Sequence, residues 1–350
     1  MIINKWWRYA IIAAVLLFLL ILGHRGLLWP WPRSTPSPHD NTAAPEKVSL
    51  ALDDNSALYI PLYIAINEGF FTDEGLAVTL KTASSQDEAL ALLLSGDCDI
   101  LLGGPEITFR LAQQKNKTHL IQIAQATSST GYFVVARNND KPFVWQDMKG
   151  KIVISAHPAE LPGIIFNLVL KENQLHPLHD VHIIHNLPYA SVQAAFQSGT
   201  GHFLLASEPL ATKMEKDNNC HVVAALKLTS GPAVTSTFMV MSEFREKRQE
   251  TCQSFVTAFQ KGLGWTDEHS PEEIVSAVQG YFPKEDAKIL LRSVSRYKNL
   301  GCWPLTALMD NKAFEQLQDI LQLENELIVK PNLNKLMDNT FAEKALENAR

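Results

Sequence analysis

The chain has 350 residues, 46% hydrophobic and 19% charged, enough to bury one large or two medium cores. A formal charge of -6, with no Lys/Arg run interleaved with aromatics, gives no electrostatic basis for nucleic-acid binding. The four cysteines (Cys98, Cys220, Cys252, Cys302) show no CxxC or Cys/His spacing, so neither a metal nor a cofactor is expected. Disulfides are permitted, but no pairing can be read from the spacing.

Lys5 and Arg8 precede the apolar run 9–22, a charge arrangement that exports the rest of the chain. The run is short enough for a signal peptide. Yet Trp6, Trp7, Trp29 and Trp31 flank it, and a helix from Trp7 to Trp29 rises about 33 Å, a bilayer thickness. There is no A-x-A cleavage site after it and no cysteine to accept a lipid. Residues 1–29 are therefore read as an uncleaved membrane helix, with a cleaved signal as the alternative. The Pro/Ser/Thr/Asn-rich stretch at 30–46 is read as a flexible linker.

From residue 48 short apolar strands alternate with amphipathic helices, the pattern of an open α/β sheet. Strand 48–52 leads into the polar loop at 53–56. A helix carrying Leu58, Leu62 and Ile66 follows, then the Glu68-Gly69-Phe70-Phe71 corner and strand 77–80. Ligands of such sheets sit beyond the carboxyl ends of strands, which makes 53–59 a candidate binding loop. Helix 86–95, strand 99–102, the Gly103-Gly104-Pro105 turn and helix 106–114 come next. Strand 120–126, the polar loop 127–131 and strand 132–137 follow, before a polar break at 138–142.

The pattern then restarts: strand 152–155, loop 157–162, helix 163–173, strand 181–185, helix 191–198, strand 203–206, helix 210–216 and strand 222–225. The turns SGDCDILLGGPE and SGTGHFLLASEP occupy matching places in the two sets. Two similar α/β lobes with a cleft between them are the simplest architecture. After strand 233–241 the chain turns helical at 243–263, 271–281, 284–298, 313–322 and 333–346. Phe244, Phe255, Phe259 and Trp265 fall mostly at helical spacing and read as a core stripe.

The segments PLYIAINEGFFTDEGLAVTL, ALLLSGDCDILLGGPE, DMKGKIVIS, SGTGHFLLASEP and FMVMSEFREKRQETCQSFVTAFQKGLGW occur in order over residues 48–265. In these the chain resembles the periplasmic substrate-binding proteins of ABC importers for nitrate, sulfonates, taurine and thiamine-pyrimidine precursors. The resemblance implies an α/β, two-lobed type II periplasmic-binding-protein fold, with extra C-terminal helices. Lobe 1 would span 47–137 plus 235–350 and lobe 2 138–234. It also implies an exported monomer that captures a small molecule, and an ABC permease in the inner membrane as partner. One departure is the turn Gly201-His202-Phe203-Leu204-Leu205, where the family usually reads G-D-x-D-A.

Loops after strands supply the expected ligand-binding residues: Asp54, Asn55, Tyr59, Gly104, Glu106, Ser129, Thr130, Tyr132, His157, Glu160 and Glu208. Helix N-termini here favour anions, as sulfonate and nitrate carriers require. The carboxylates argue the other way, toward ligands with amino groups or ring N–H donors, as in a pyrimidine or amine. Glu106 and Glu208 equally suit a helix first turn, and Asp53 and Asp54 a helix cap. Tyr59 and Tyr132 offer stacking faces with polar tips, or simple core aromatics. His176, His179, His182 and His185 lack a third ligand for a metal. A membrane-tethered ligand sensor is the alternative function, and behind it an enzyme like those relatives that make the thiamine pyrimidine. The relatives that make the thiamine pyrimidine use a histidine and a cysteine-rich iron motif, which this chain lacks.

Overall fold

The computed structural model describes residues 44–53, 56–114, 120–137, 141–187, 189–216, 220–226 and 234–348. The expected membrane helix and linker, and the candidate residues Asp54 and Asn55, lie outside them. Among the described residues no helix is long and apolar enough to cross a membrane.

The first sheet has the order β2-β1-β3-β10-β4, from β1 (Glu46–Leu52), β2 (Leu76–Thr82), β3 (Ile100–Gly103), β4 (Leu120–Thr127) and β10 (Ser236–Met241). β1 is parallel to β2 and β3, while β10 returns antiparallel between β3 and β4. Helices α1 (Ile60–Asn67), α2 (Phe70–Asp73), α3 (Gln86–Ser95) and α4 (Glu106–Gln113) connect its strands. The second sheet has the order β7-β6-β8-β5-β9, from β5 (Tyr132–Arg137), β6 (Ile152–Ile154), β7 (His182–Ile184), β8 (Phe203–Ser207) and β9 (Cys220–Ala225). Its helices are α5 (Leu161–Glu172), α6 (Tyr189–Gln197) and α7 (Leu210–Lys216).

Strands β5 and β8 of the second sheet are buried on both faces, which explains their apolar runs. On β5, Phe133 and Val135 join one core, while Val134 and Ala136 join another. On β8, Leu204 and Ala206 face the first core and Phe203 and Leu205 the second.

The lobe boundaries differ from the sequence reading. β5 pairs with β8 and β9, so the chain leaves the first sheet at 128–131 rather than at the polar break after residue 137. The polar loop at 127–131 reads as an ordinary strand connection, because both flanking strands are buried on both faces and their hydropathy does not tell one sheet from another.

The C-terminal helices are α8 (Ser242–Lys247), α9 (Gln249–Glu268), α10 (Pro271–Val278), α11 (Ala287–Asn299), α12 (Asn311–Leu323) and α13 (Thr340–Asn348). Arg248, at φ -125° and ψ 44°, splits the single helix expected at 243–263 into two. The helix expected at 333–346 is a turn of 3-10 helix followed by α13. Asp338 accepts hydrogen bonds from the Thr340 N–H (3.1 Å) and hydroxyl (2.6 Å), which starts a new helix there. These helices do not belong to the first lobe alone. Phe314, Leu317 and Leu321 of α12 share a core with Val153, Ile164 and Phe166 of the second lobe. All four cysteines are buried.

Candidate inter-lobe binding site

Two connections join the sheets: residues 128–131 between β4 and β5, and the return from β9 to β10, of which Val234 and Thr235 are described. Thr127 and Thr235 hydroxyls meet at 2.9 Å, and the Thr235 hydroxyl also donates to the Ser129 carbonyl. Ser128 donates to the Gly301 carbonyl at 2.7 Å, and Tyr297 of α11 donates to the Gly131 carbonyl at 3.0 Å. Gly131 sits at φ +66°, and a Cβ there would lie 2.8 Å from Leu58 Cδ1, so the tight crossing needs glycine.

Beside these crossings lies a cavity with about 90 Å³ open to water. From the first lobe it is lined by Asp53 just beyond β1, Tyr59 in the 3-10 turn Ala57–Tyr59, and Gly104 and Glu106 beyond β3. Glu160, Leu161 and Pro162 at the start of α5 and Ser207 at the end of β8 come from the second lobe. Thr130, Tyr132, Thr235 and Ser236 line it at the crossings. The cavity therefore stands at the carboxyl ends of strands in both sheets, where the strand-to-helix turns open.

Glu106 dominates its electrostatics. The residue is completely buried, and neither carboxylate oxygen has a hydrogen-bond partner. Burial pushes its carboxyl up to about 7. The backbone N–H groups of Glu106 itself and of Leu161 oppose this, without either being aligned as a hydrogen bond. The side chain thus occupies the positive end of its own helix, where an anion would otherwise sit. It also folds over Gly104, where any Cβ would collide with the carboxylate. Burial raises Asp53 and Glu160 too, and the Asp53 charge pushes Glu160 further.

Of the expected residues, Tyr59, Gly104, Glu106, Thr130, Tyr132 and Glu160 do line this cavity, joined from separate loops. Ser129, His157 and Glu208 are not among its lining residues. Ser129 offers its carbonyl to Thr235 instead. His157 Nδ1 accepts the Ala159 N–H at 3.3 Å, and its ring stands edge-on to His185 at 6.0 Å.

Glu208 has a different task. Its carboxylate binds Arg296, the Ser293 hydroxyl (3.0 Å) and the Thr212 N–H (3.0 Å), while its own N–H donates to Tyr297 Oη (2.8 Å). Arg296 continues to Glu215 at 2.6 Å and lies over the Phe133 ring at 5.2 Å. The pair clamps α7 to α11, and no oxygen of Glu208 is spared for the cavity. The sequence reading missed Gln86, Thr235 and Ser236 as lining residues. Thr-Ser-Thr polarity opening an apolar strand at 235–237 is the only signal that marks the returning crossing. Among the described residues no group of three or more His, Cys, Asp or Glu could hold a metal.

Two α/β lobes, the central sheet order with its returning antiparallel strand, and two crossings beside a polar cavity define the type II periplasmic-binding-protein fold. The model of the "NMT1/THI5 like" family matches residues 57–274, and the chain belongs to that family. It is 33% identical over 298 residues to the candidate binding protein YtlA of Bacillus subtilis (strain 168), covering 85% of this chain and 89% of that protein. Among solved structures, a ligand-binding component of an ABC-type import system from Staphylococcus aureus, with zinc bound, superposes with TM-score 0.72 at 11% identity. That match covers 86% of this chain and 99% of that one. The periplasmic nitrate-binding protein NrtA of Synechocystis PCC 6803 gives TM-score 0.68 at 13% identity, covering 88% and 89%. The fold also serves catalysis, since the desulfurization enzyme DSZB superposes with TM-score 0.65 at 14% identity, covering 87% and 100%.

Proposed function

We propose that this protein is the solute-binding component of an ABC importer and captures a small polar organic molecule between its two lobes. The observation that carries this is the polar cavity lined from both lobes and flanked by the two crossings. A ligand touching both walls favours the closed arrangement over the open one, and that difference is what a permease reads. No bond is made or broken. All four thiols are buried outside the cavity, and burial pushes Cys252 up to about 12, which leaves no activated nucleophile of that kind at the site. The apolar run at 9–22 with its flanking tryptophans supports an exported body held at the membrane by an uncleaved helix.

The test uses the full chain extracted from membranes, challenged with a small-molecule extract of the producing cells. A bound solute should raise the melting temperature and shrink the radius of gyration in X-ray scattering, and Tyr59→Ala with Tyr132→Ala should abolish both effects. Failure of every fraction to move either quantity would overturn solute capture. N-terminal sequencing of the same preparation should start before Gly23, and a later start would overturn the anchor.

A further inference from the structure

Three carboxylates line the inter-lobe cavity, and its described lining includes no lysine, arginine or histidine. Asp53 and Glu106 come from the first lobe, Glu160 from the second. A buried carboxylate with both oxygens unpartnered, as at Glu106, is rare in native folds and calls for a donor from outside the chain. The charged groups around the cluster do not supply one. Arg110, one turn along α4, gives its guanidinium to the Ala159 carbonyl and to Glu326 at 3.1 Å. The His157 ring acts on the Glu160 carboxylate through its field, and Asp87 adds more negative charge there.

We propose that the cavity is built for a small organic cation, a protonated amine or amidine, whose N–H donors are shared between Glu106 of one lobe and Glu160 of the other. This rests on the solute-binding reading above and narrows its ligand to a chemical class. Ammonium and amidinium groups are donors without acceptors, the complement of a wall of carboxylates. They also explain how closure depends on ligand. Lobes approaching without a ligand bring like charges together, whereas a cation between them attracts both walls. A nitrate or sulfonate would meet acceptors on each side and a helix N-terminus already covered by Glu106. Tyr59 and Tyr132 in the same lining are compatible with a cation.

The test is calorimetric titration of the full chain at neutral pH with n-butylamine, n-butanol and n-butanesulfonate, three probes of one size and different charge. Only the amine should bind, and Glu106→Gln and Glu160→Gln should each weaken it by about tenfold or more. Titration in buffers of different ionisation enthalpy should also show proton release on amine binding, lost in Glu106→Gln. Glu160→Gln alters a partly exposed position, so it reports on binding even if Glu106→Gln compromises folding. Equal or tighter binding of the alcohol or sulfonate, or an amine affinity untouched in both variants, would overturn the cation. Those results leave solute capture standing if the cell extract still closes the lobes. If no probe binds while the extract does, the cation class also falls.

Discussion

Replacing Glu106 with glutamine isolates the free-energy cost of the buried carboxylate. In the folded protein this carboxyl is raised from an ordinary 4.5 to about 7 by burial. At 1.36 kcal/mol per tenfold change in proton affinity, that difference corresponds to about 3 kcal/mol. The folded state therefore holds the proton more tightly than the unfolded chain. Stability from this group is fully present below the unfolded value and is lost as pH rises through the folded one. Between about pH 5 and pH 8 the loss comes to roughly 2.5 kcal/mol, or roughly 5 °C in melting temperature for a body of this size. Glu106→Gln has nearly the same shape and carries no charge at any pH. Its stability should match the parent protein near pH 5 and exceed it near pH 8. Urea denaturation of both proteins across that interval measures the divergence. Asp53 and Glu160, also raised by burial, leave a residual slope of the same sign in both proteins, which the comparison removes. Parallel pH profiles for the two proteins would refute the claim that Glu106 is buried without a donor.

Arg296→Met should leave the fully buried Glu208 carboxylate without its cation and cost about 3–5 kcal/mol in urea denaturation, with the α7–α11 clamp loosened. A loss below about 1 kcal/mol would place that pair among ordinary surface bridges. Gly163→Ala should cost about 1–3 kcal/mol, because its Cβ would lie 2.8 Å from the His157 carbonyl carbon, a backbone atom that cannot rotate away. The same change should shift the 157–160 loop and weaken solute capture through Glu160. Unaltered melting and unaltered capture would show that this loop yields without cost.

The strand and helix order from 46 to 241 was legible in the sequence because each element buries an apolar face with its own period. Strand β3, the Gly103-Gly104-Pro105 turn and α4 were readable almost to the residue, since a glycine pair and a helix-starting proline punctuate them. The crossing at 128–131 was not, because its flanking strands are buried on both faces and hydropathy does not name the sheet. The C-terminal helices were recognisable as helices. Their partners were not, because an amphipathic face states that something covers it and not what.

The site divides along the same line. Sequence determined which loops end strands of an α/β unit, and so brought Tyr59, Gly104, Glu106, Thr130, Tyr132 and Glu160 into consideration. It could not separate Glu106 from Glu208, two acids at the starts of analogous helices. Only the tertiary structure decided that one faces a polar cavity while the other is neutralised by Arg296, which is 88 residues further along the chain. The physical reason is that an acid's role depends on the partner charge and burial it meets, and both come from distant segments. Sequence alone placed the candidate carboxylates at loop ends; the fold chose which of them are left without a partner.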